Sequence, residues 1–220
     1  MTKHTFDIRF KTHVEKTPRV LEVAESFGLG LNDSEFVVYD NLDIEVRPGD
    51  VVYITGQSGS GKSLLLRALA NQLEETTSVR RIDDVELEDK PVIDQIGTST
   101  SEALKLLSVA GVSDAYLFLR KPSELSDGQR YRVRLAKLLA EGAKVWVADE
   151  FGAVLDRVTA KVIAKNMSSA ARDFGATLIV ATTHTDLVEE LGPNVTVTKH
   201  YRERIKVEYD WDKAEVVVNG

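Results

Sequence analysis

Gly56-Gln57-Ser58-Gly59-Ser60-Gly61-Lys62-Ser63 is the stretch from which the fold is read; the apolar run Val51-Val52-Tyr53-Ile54 precedes it and Leu64-Leu65-Leu66 follows. The order is strand, glycine-rich loop, helix, and the spacing is G-x-x-x-x-G-K-[ST]. Glycines let a backbone wrap closely around oxyanions, and successive N–H groups at a helix N-terminus form an anion site. The loop from Gly56 to Ser63, with Leu64 opening the helix, is therefore expected to cradle the phosphates of a nucleotide. Lys62 would reach the β and γ phosphates, and the Ser63 hydroxyl would ligate Mg²⁺.

Around that loop, 220 residues suffice for one sizeable domain. Apolar residues at 43% can fill a core, while a net charge of −7 argues against a general nucleic-acid binder. No apolar run is long enough to span a bilayer, and the N-terminus MTKHTFDIRFK does not read as a signal peptide. Cysteine is absent, which excludes disulfides and fits a cytoplasmic location.

Val145-Trp146-Val147-Ala148 and Leu178-Ile179-Val180-Ala181 match Val51–Ile54 in being apolar without alternation, as expected of parallel strands covered on both faces. Helical patterns lie between them. From Arg157 to Phe174, Val158, Val162, Ile163, Met167, Ala170 and Phe174 read as one buried stripe, closed by Gly175. Both ends of the chain alternate instead: Thr5 to Phe10 at one end, Ile205 to Tyr209 and Val216 to Val218 at the other. The expected fold is α/β, a single domain over 1–220. It has a mostly parallel sheet, an antiparallel β edge built from both termini, N-terminal strands and lead-in over 1–55, a short helical insertion over 95–125 and a β tail over 195–220.

The strand Val145–Ala148 ends in Asp149-Glu150. Adjacent residues at a strand end point to opposite sides, so the two carboxylates can divide the work. Asp149 can hold the metal shell, and Glu150 can serve as general base toward an attacking water.

Leu125-Ser126-Asp127-Gly128-Gln129 adds a family resemblance. LSDGQRYRVRLAKLLAEGAKVWVADE resembles the signature-to-Walker-B block of ABC ATPases, and six motifs of that family occur in its order. The resemblance implies that Gln95 is the Q-loop glutamine, touching Mg²⁺ and the water. It makes Ser126, Gly128 and Gln129 the signature that grips the partner subunit's ATP, and Ala153 to Asp156 the D-loop at the dimer seam. His184 becomes the γ-phosphate sensor. Phe27, in Ser26-Phe27-Gly28, resembles the adenine-stacking position, with Phe36 and Tyr39 as competitors. The implied assembly is an ATP-dependent head-to-tail homodimer with two sandwiched nucleotides.

Asp127 and Ala153 depart from the family pattern; Asp is expected to tolerate the left-handed turn that glycine would supply. The insertion between Gln95 and Leu125 is short for a transporter ATPase, and Leu117 to Glu124 lacks the usual segment before the signature. VIDQIG, the stretch from Ser108 to Lys137 and ATTHTDL resemble soluble archaeal and viral ABC ATPases often fused to acetyltransferase-like domains. The reading is thus a soluble ATPase that drives or times a separate effector, an acetyltransferase-like protein among the candidates. The nucleotide-binding subunit of a transporter is one alternative, and an ATP-dependent scaffold with little turnover is another. The basic run Lys199 to Lys206 is a thin cue for nucleic acid and is more simply a solvated strand face.

Overall fold

The computed structural model describes residues 2–199 and 205–211. Most of the basic run at 199–206 and the strand expected at Val216 to Val218 lie outside the described residues. The backbone divides into two compact units, one from Thr5 to Ile44 and the other comprising Met1–His4 and Glu45–Gly220, where the sequence reading had a single domain.

The smaller unit holds most of a two-stranded sheet, β1 (Thr2–Thr12) and β2 (Ser34–Val46), with helix α1 (Pro18–Phe27) between them. Thr17 caps α1 by accepting from the Val20 N–H, Pro18 occupies its first turn, and Gly28 ends it at φ 63°. The antiparallel edge therefore differs from expectation. β1 does not join the main sheet; it pairs with β2, and its sides are mostly solvent-exposed.

The larger unit is built on a six-stranded sheet. Its strands are β3 (Val51–Gly56), β4 (Val79–Arg81), β5 (Val145–Ala148), β6 (Thr177–Thr182), β7 (Val195–Lys199) and β8 (Lys206–Tyr209), in the spatial order β4-β5-β6-β3-β7-β8. Every neighbouring pair is parallel except β7 with β8, so the antiparallel edge comes from the C-terminal side alone. All residues of β3, β5 and β6 are buried, which is why those runs carry no polar alternation. Among the described residues, no helix is long and apolar enough to cross a membrane.

Helix α2 (Lys62–Glu74) leaves the glycine-rich loop directly, with Gly61 as its N-cap at φ 97°. The insertion consists of α3 (Thr100–Val109), capped by Ser99, and the short α4 (Ala115–Phe118). Helix α5 (Asp127–Ala140) carries the signature residues, and α6 (Arg157–Phe174) runs from Asp156 to the Gly175 cap. The buried face of α6 is Ala160, Ile163, Ala164, Met167, Ala170 and Ala171. Val158 and Val162 are instead 73% and 50% exposed, and Phe174 keeps 46% of its surface while its ring meets Trp146 edge-on at 5.8 Å. The helical period was legible but its phase was not. Alanines let the helix approach the sheet closely, and an apolar count underweights them against valine.

Candidate active site

The carboxyl ends of β3, β5 and β6 meet a cavity of about 560 Å³. It is lined by Ser58, Gly59, Gly61, Lys62, Ser63 and Leu64 from the loop, and by Asp149, Glu150 and Ala153 after β5. Ala181, Thr182 and Thr183 complete it from the end of β6. This is the edge at which open α/β sheets bind ligands.

Gly56 shows why the loop begins with glycine. Parallel pairing sets Gly56 opposite Lys199, and a Cβ at Gly56 would lie 1.7 Å from the Lys199 carbonyl oxygen. Its φ of 141° also excludes ordinary side chains. Beyond it, Lys62 turns back over the loop and donates from Nζ to the carbonyls of Gly56 at 3.0 Å and Gln57 at 2.7 Å. Burial lowers the Lys62 pKa, against the opposing charges of Asp149 and Glu150.

Ser63 Oγ donates to Asp149 Oδ1 at 2.9 Å, and the Glu150 N–H donates to the same oxygen at 3.0 Å. Arg67, one turn along α2, places Nη2 3.7 Å from Asp149 Oδ2. Glu150 itself adopts φ 47°, a left-handed conformation that costs a non-glycine residue about 1 kcal/mol. The loop after it is fixed: the Phe151 N–H donates to the Ala181 carbonyl at 2.9 Å, and the Gly152 N–H to the Tyr131 hydroxyl at 3.2 Å.

The donor set fits a phosphate chain with Mg²⁺. A hydroxyl and a carboxylate within hydrogen-bond reach are the hard oxygen ligands that Mg²⁺ takes. Backbone N–H groups, Lys62 and the buried Ser60 hydroxyl, which finds no hydrogen-bond partner among the described residues, supply groups suited to an oxyanion.

Gln95 does not line the cavity. Its Oε1 accepts from the Glu88 N–H at 3.0 Å, and its Nε2 donates to the carbonyls of Glu88 at 3.3 Å and Lys90 at 3.1 Å. The side chain braces the backbone of residues 88–90, and its amide is committed there. Asp83 comes near enough to Asp149 for the two charges to interact, although it does not line the cavity; it lies just past β4 in a short turn over Ile82–Asp84. Partial burial and then the charge of Asp149 push the Asp83 carboxyl up. β4 and the turn after it are three residues each, too short to give a periodic signal, and Asp83 was missed for that reason.

The signature residues stand outside the cavity lining. Ser126 and Gln129 form a reciprocal capping box: Ser126 Oγ accepts from the Gln129 N–H at 3.3 Å, and Gln129 Oε1 accepts from the Ser126 N–H at 2.9 Å. Asp127 is the first residue of α5 and pairs with Arg130. No left-handed turn is needed there, contrary to expectation, and an acid at a helix N-terminus is favoured. Gly128 lies against the D-loop, where an added Cβ would sit 3.3 Å from the Val154 carbonyl oxygen. Asp156 caps α6, accepting from the Thr159 N–H at 3.0 Å and its hydroxyl at 2.5 Å, which lowers its pKa. His184 lies just past the cavity-lining Thr182 and Thr183. Phe27 belongs to the smaller unit and is 76% exposed, whereas its competitor Tyr39 is buried.

A family profile described as ABC transporter matches residues 39–106. The lipoprotein-releasing system ATP-binding protein LolD of Granulibacter bethesdensis is 30% identical over 217 residues, covering 81% of this chain and 93% of that protein. The methionine import ATP-binding protein MetN of Helicobacter hepaticus is 31% identical over 193 residues, covering 71% of this chain. The chain spans about half the length of such methionine-import relatives, 54% in that case. In fold, it superposes on an ATP-binding cassette solved as a dimer in a post-hydrolysis state bound to ADP and Pi. The TM-score is 0.66 at 16% identity, with 94% of this chain and 98% of that one covered. Fold, phosphate loop and near-complete coverage of a relative converge on one assignment: the chain belongs to the ABC transporter family, as an ABC ATPase domain that takes ATP and Mg²⁺.

Proposed function

We propose that the chain is the ATPase subunit of a machine in which two copies close over two ATP molecules and transmit that closure to a separate protein. The observation that carries this reading is the division of labour between surfaces. Phosphate loop and carboxylate pair share one cavity, while Ser126 stands exposed and apart from it, available to a second copy's nucleotide. Lys62 and the loop N–H groups hold the phosphates, and Ser63 and Asp149 hold Mg²⁺. When bound, the metal neutralises charge on the transferred phosphoryl group. Glu150 orients the attacking water and accepts its proton as the bond to the γ-phosphorus forms and the bond from that phosphorus to the β–γ bridging oxygen breaks, leaving ADP and phosphate. Ser126, Gly128 and Gln129 complete the partner copy's site, with Asp156 at the seam, and His184 senses the γ-phosphate.

The partner we favour is a membrane-embedded transport protein, with this chain on its cytoplasmic side. The curated relatives named above are import and lipoprotein-releasing ATP-binding proteins, which supports that choice. A second reading keeps a soluble effector, such as an acetyltransferase-like protein, in the same role. The brevity of the insertion between Gln95 and Leu125, with only α3 and the four-residue α4, favours it.

Glu150→Gln tests both. With ATP and Mg²⁺ the variant should sediment as a dimer, hydrolyse at least 100-fold more slowly than wild type and capture its partner only when ATP is present. A membrane protein in that fraction supports transport, and a soluble enzyme supports the effector. A variant that stays monomeric with ATP, or hydrolyses at the wild-type rate, refutes the assignment of Glu150.

A further inference from the structure

His184 is held at three points, and one of them decides where its ring proton sits. Its N–H donates to Thr182 Oγ1 at 3.2 Å, and its carbonyl accepts from the Tyr53 hydroxyl, a residue of the fully buried β3. Both contacts fix the backbone. The ring is fixed by Arg157, whose Nη1 lies 2.5 Å from His184 Nδ1. Arg157 opens α6, immediately after the Asp156 cap.

A guanidinium has five N–H donors and no acceptor. A nitrogen in hydrogen-bond contact with it must present a lone pair, so Nδ1 accepts and the ring proton resides on Nε2. The hydrogen bond made by one ring nitrogen sets what the other can do. The arginine is not free to swing away without loss, because its Nη2 pairs with Asp186. Lys161, one turn along α6, holds Asp186 at 3.9 Å and Glu190 at 2.9 Å. A chain of alternating charges thus runs from Glu190 through Lys161 and Asp186 to Arg157, and ends on the imidazole.

We propose that Arg157 is a positioning residue that locks His184 in the Nε2–H tautomer, so that the ring offers a hydrogen-bond donor to the terminal phosphate of the nucleotide. The phosphate role of His184 rests on the function proposed above; the tautomer lock rests only on the Arg157 contact. A ring with its proton on Nδ1 would turn a bare nitrogen lone pair toward a phosphate oxygen, which repels it. The arrangement also ties the sensor to the N-terminus of α6 and hence to the D-loop, because Arg157 follows Asp156 directly.

The test uses the full-length chain with ¹⁵N-labelled histidine. The chain has four histidines, and the His184 signals are assigned by their loss in His184→Gln. At about pH 8, where an ordinary imidazole is neutral, wild type should show a pyridine-like shift at Nδ1 and a pyrrole-like shift at Nε2. In Arg157→Ala the two shifts should move toward each other as the tautomers mix, and Arg157→Lys, which keeps a cationic donor, should restore part of the separation. A wild-type ring that is already mixed, or shifts unchanged in Arg157→Ala, overturns the lock.

Turnover separates this from the broader reading. Arg157→Ala should lower kcat roughly tenfold with KM for ATP held within about twofold, and should cost nothing further in a His184→Ala background. If the shifts move as expected while kcat stays at the wild-type value, the lock stands and the phosphate role of His184 falls.

Discussion

Gly56→Ala should destabilise the larger unit's sheet at its centre. The added Cβ would lie 1.7 Å from the Lys199 carbonyl oxygen, an oxygen of backbone rather than of a mobile side chain. Restoring contact distance moves one strand by roughly 1.5 Å. β3 and β7 are paired over five residues ending at this point, so such a movement breaks about two ladder hydrogen bonds at about 1 kcal/mol each. A φ of 141° adds about 2 kcal/mol of backbone strain for alanine. Together the change costs about 4 kcal/mol, and a chain of this size should lose about 10 °C in Tm. Gly142→Ala is the matched control. Its φ of 66° is also positive, but nothing lies within 4 Å of the added Cβ. Strain alone should then cost about 1 kcal/mol, or about 3 °C. Urea unfolding followed by tryptophan fluorescence reports the sheet directly, since Trp146 is buried in β5. Equal losses in the two variants would show that the approach of β7 to the loop is not what demands glycine at position 56.

Two further perturbations separate support from chemistry. Tyr131→Phe removes the hydroxyl that receives the Gly152 N–H and strands that donor, costing about 1.5 kcal/mol. A melt lowered by about 3–6 °C, with kcat reduced because the loop carrying Glu150 loosens, is the expected outcome. Asp156→Asn keeps a capping side chain but removes the titration. The Asp156 carboxyl is held below its ordinary 3.8 by Thr159, so its contribution is fully present above that value and is lost as pH falls through the lowered one. Below about pH 4 wild type should therefore lose stability more steeply than the variant, as acid titration followed by circular dichroism would show.

The sequence made the site's centre legible because each part of it is local. Gly56 to Ser63 is contiguous, and Asp149 and Glu150 are neighbours, so spacing alone identifies them. What it concealed lies in pairings between distant segments. Gln95 is the right residue type in the expected interval, yet its amide is committed to the backbone of Glu88 and Lys90. Asp83 comes within range of the Asp149 charge only through the short turn that follows a three-residue strand. Arg157 and His184 are far apart in the chain, and no motif joins them. The inner face of α6 was misphased because four alanines, not valines, do the packing. The N-terminal strand was legible as a strand; its partner β2 was not, since pairing is a property of two segments.

Glu150 sits at φ 47°, where glycine is at ease and glutamate is not. Replacement by glycine should make the chain about 1 kcal/mol more stable while deleting the group proposed to activate water. Quality control in a cell removes proteins that unfold, and it would spare this one. On the function proposed above, such a copy would persist, bind ATP and pair with normal copies, silencing half of every mixed dimer it enters. On that reading the glutamate at position 150 is kept by turnover and not by folding, because its left-handed backbone favours glycine.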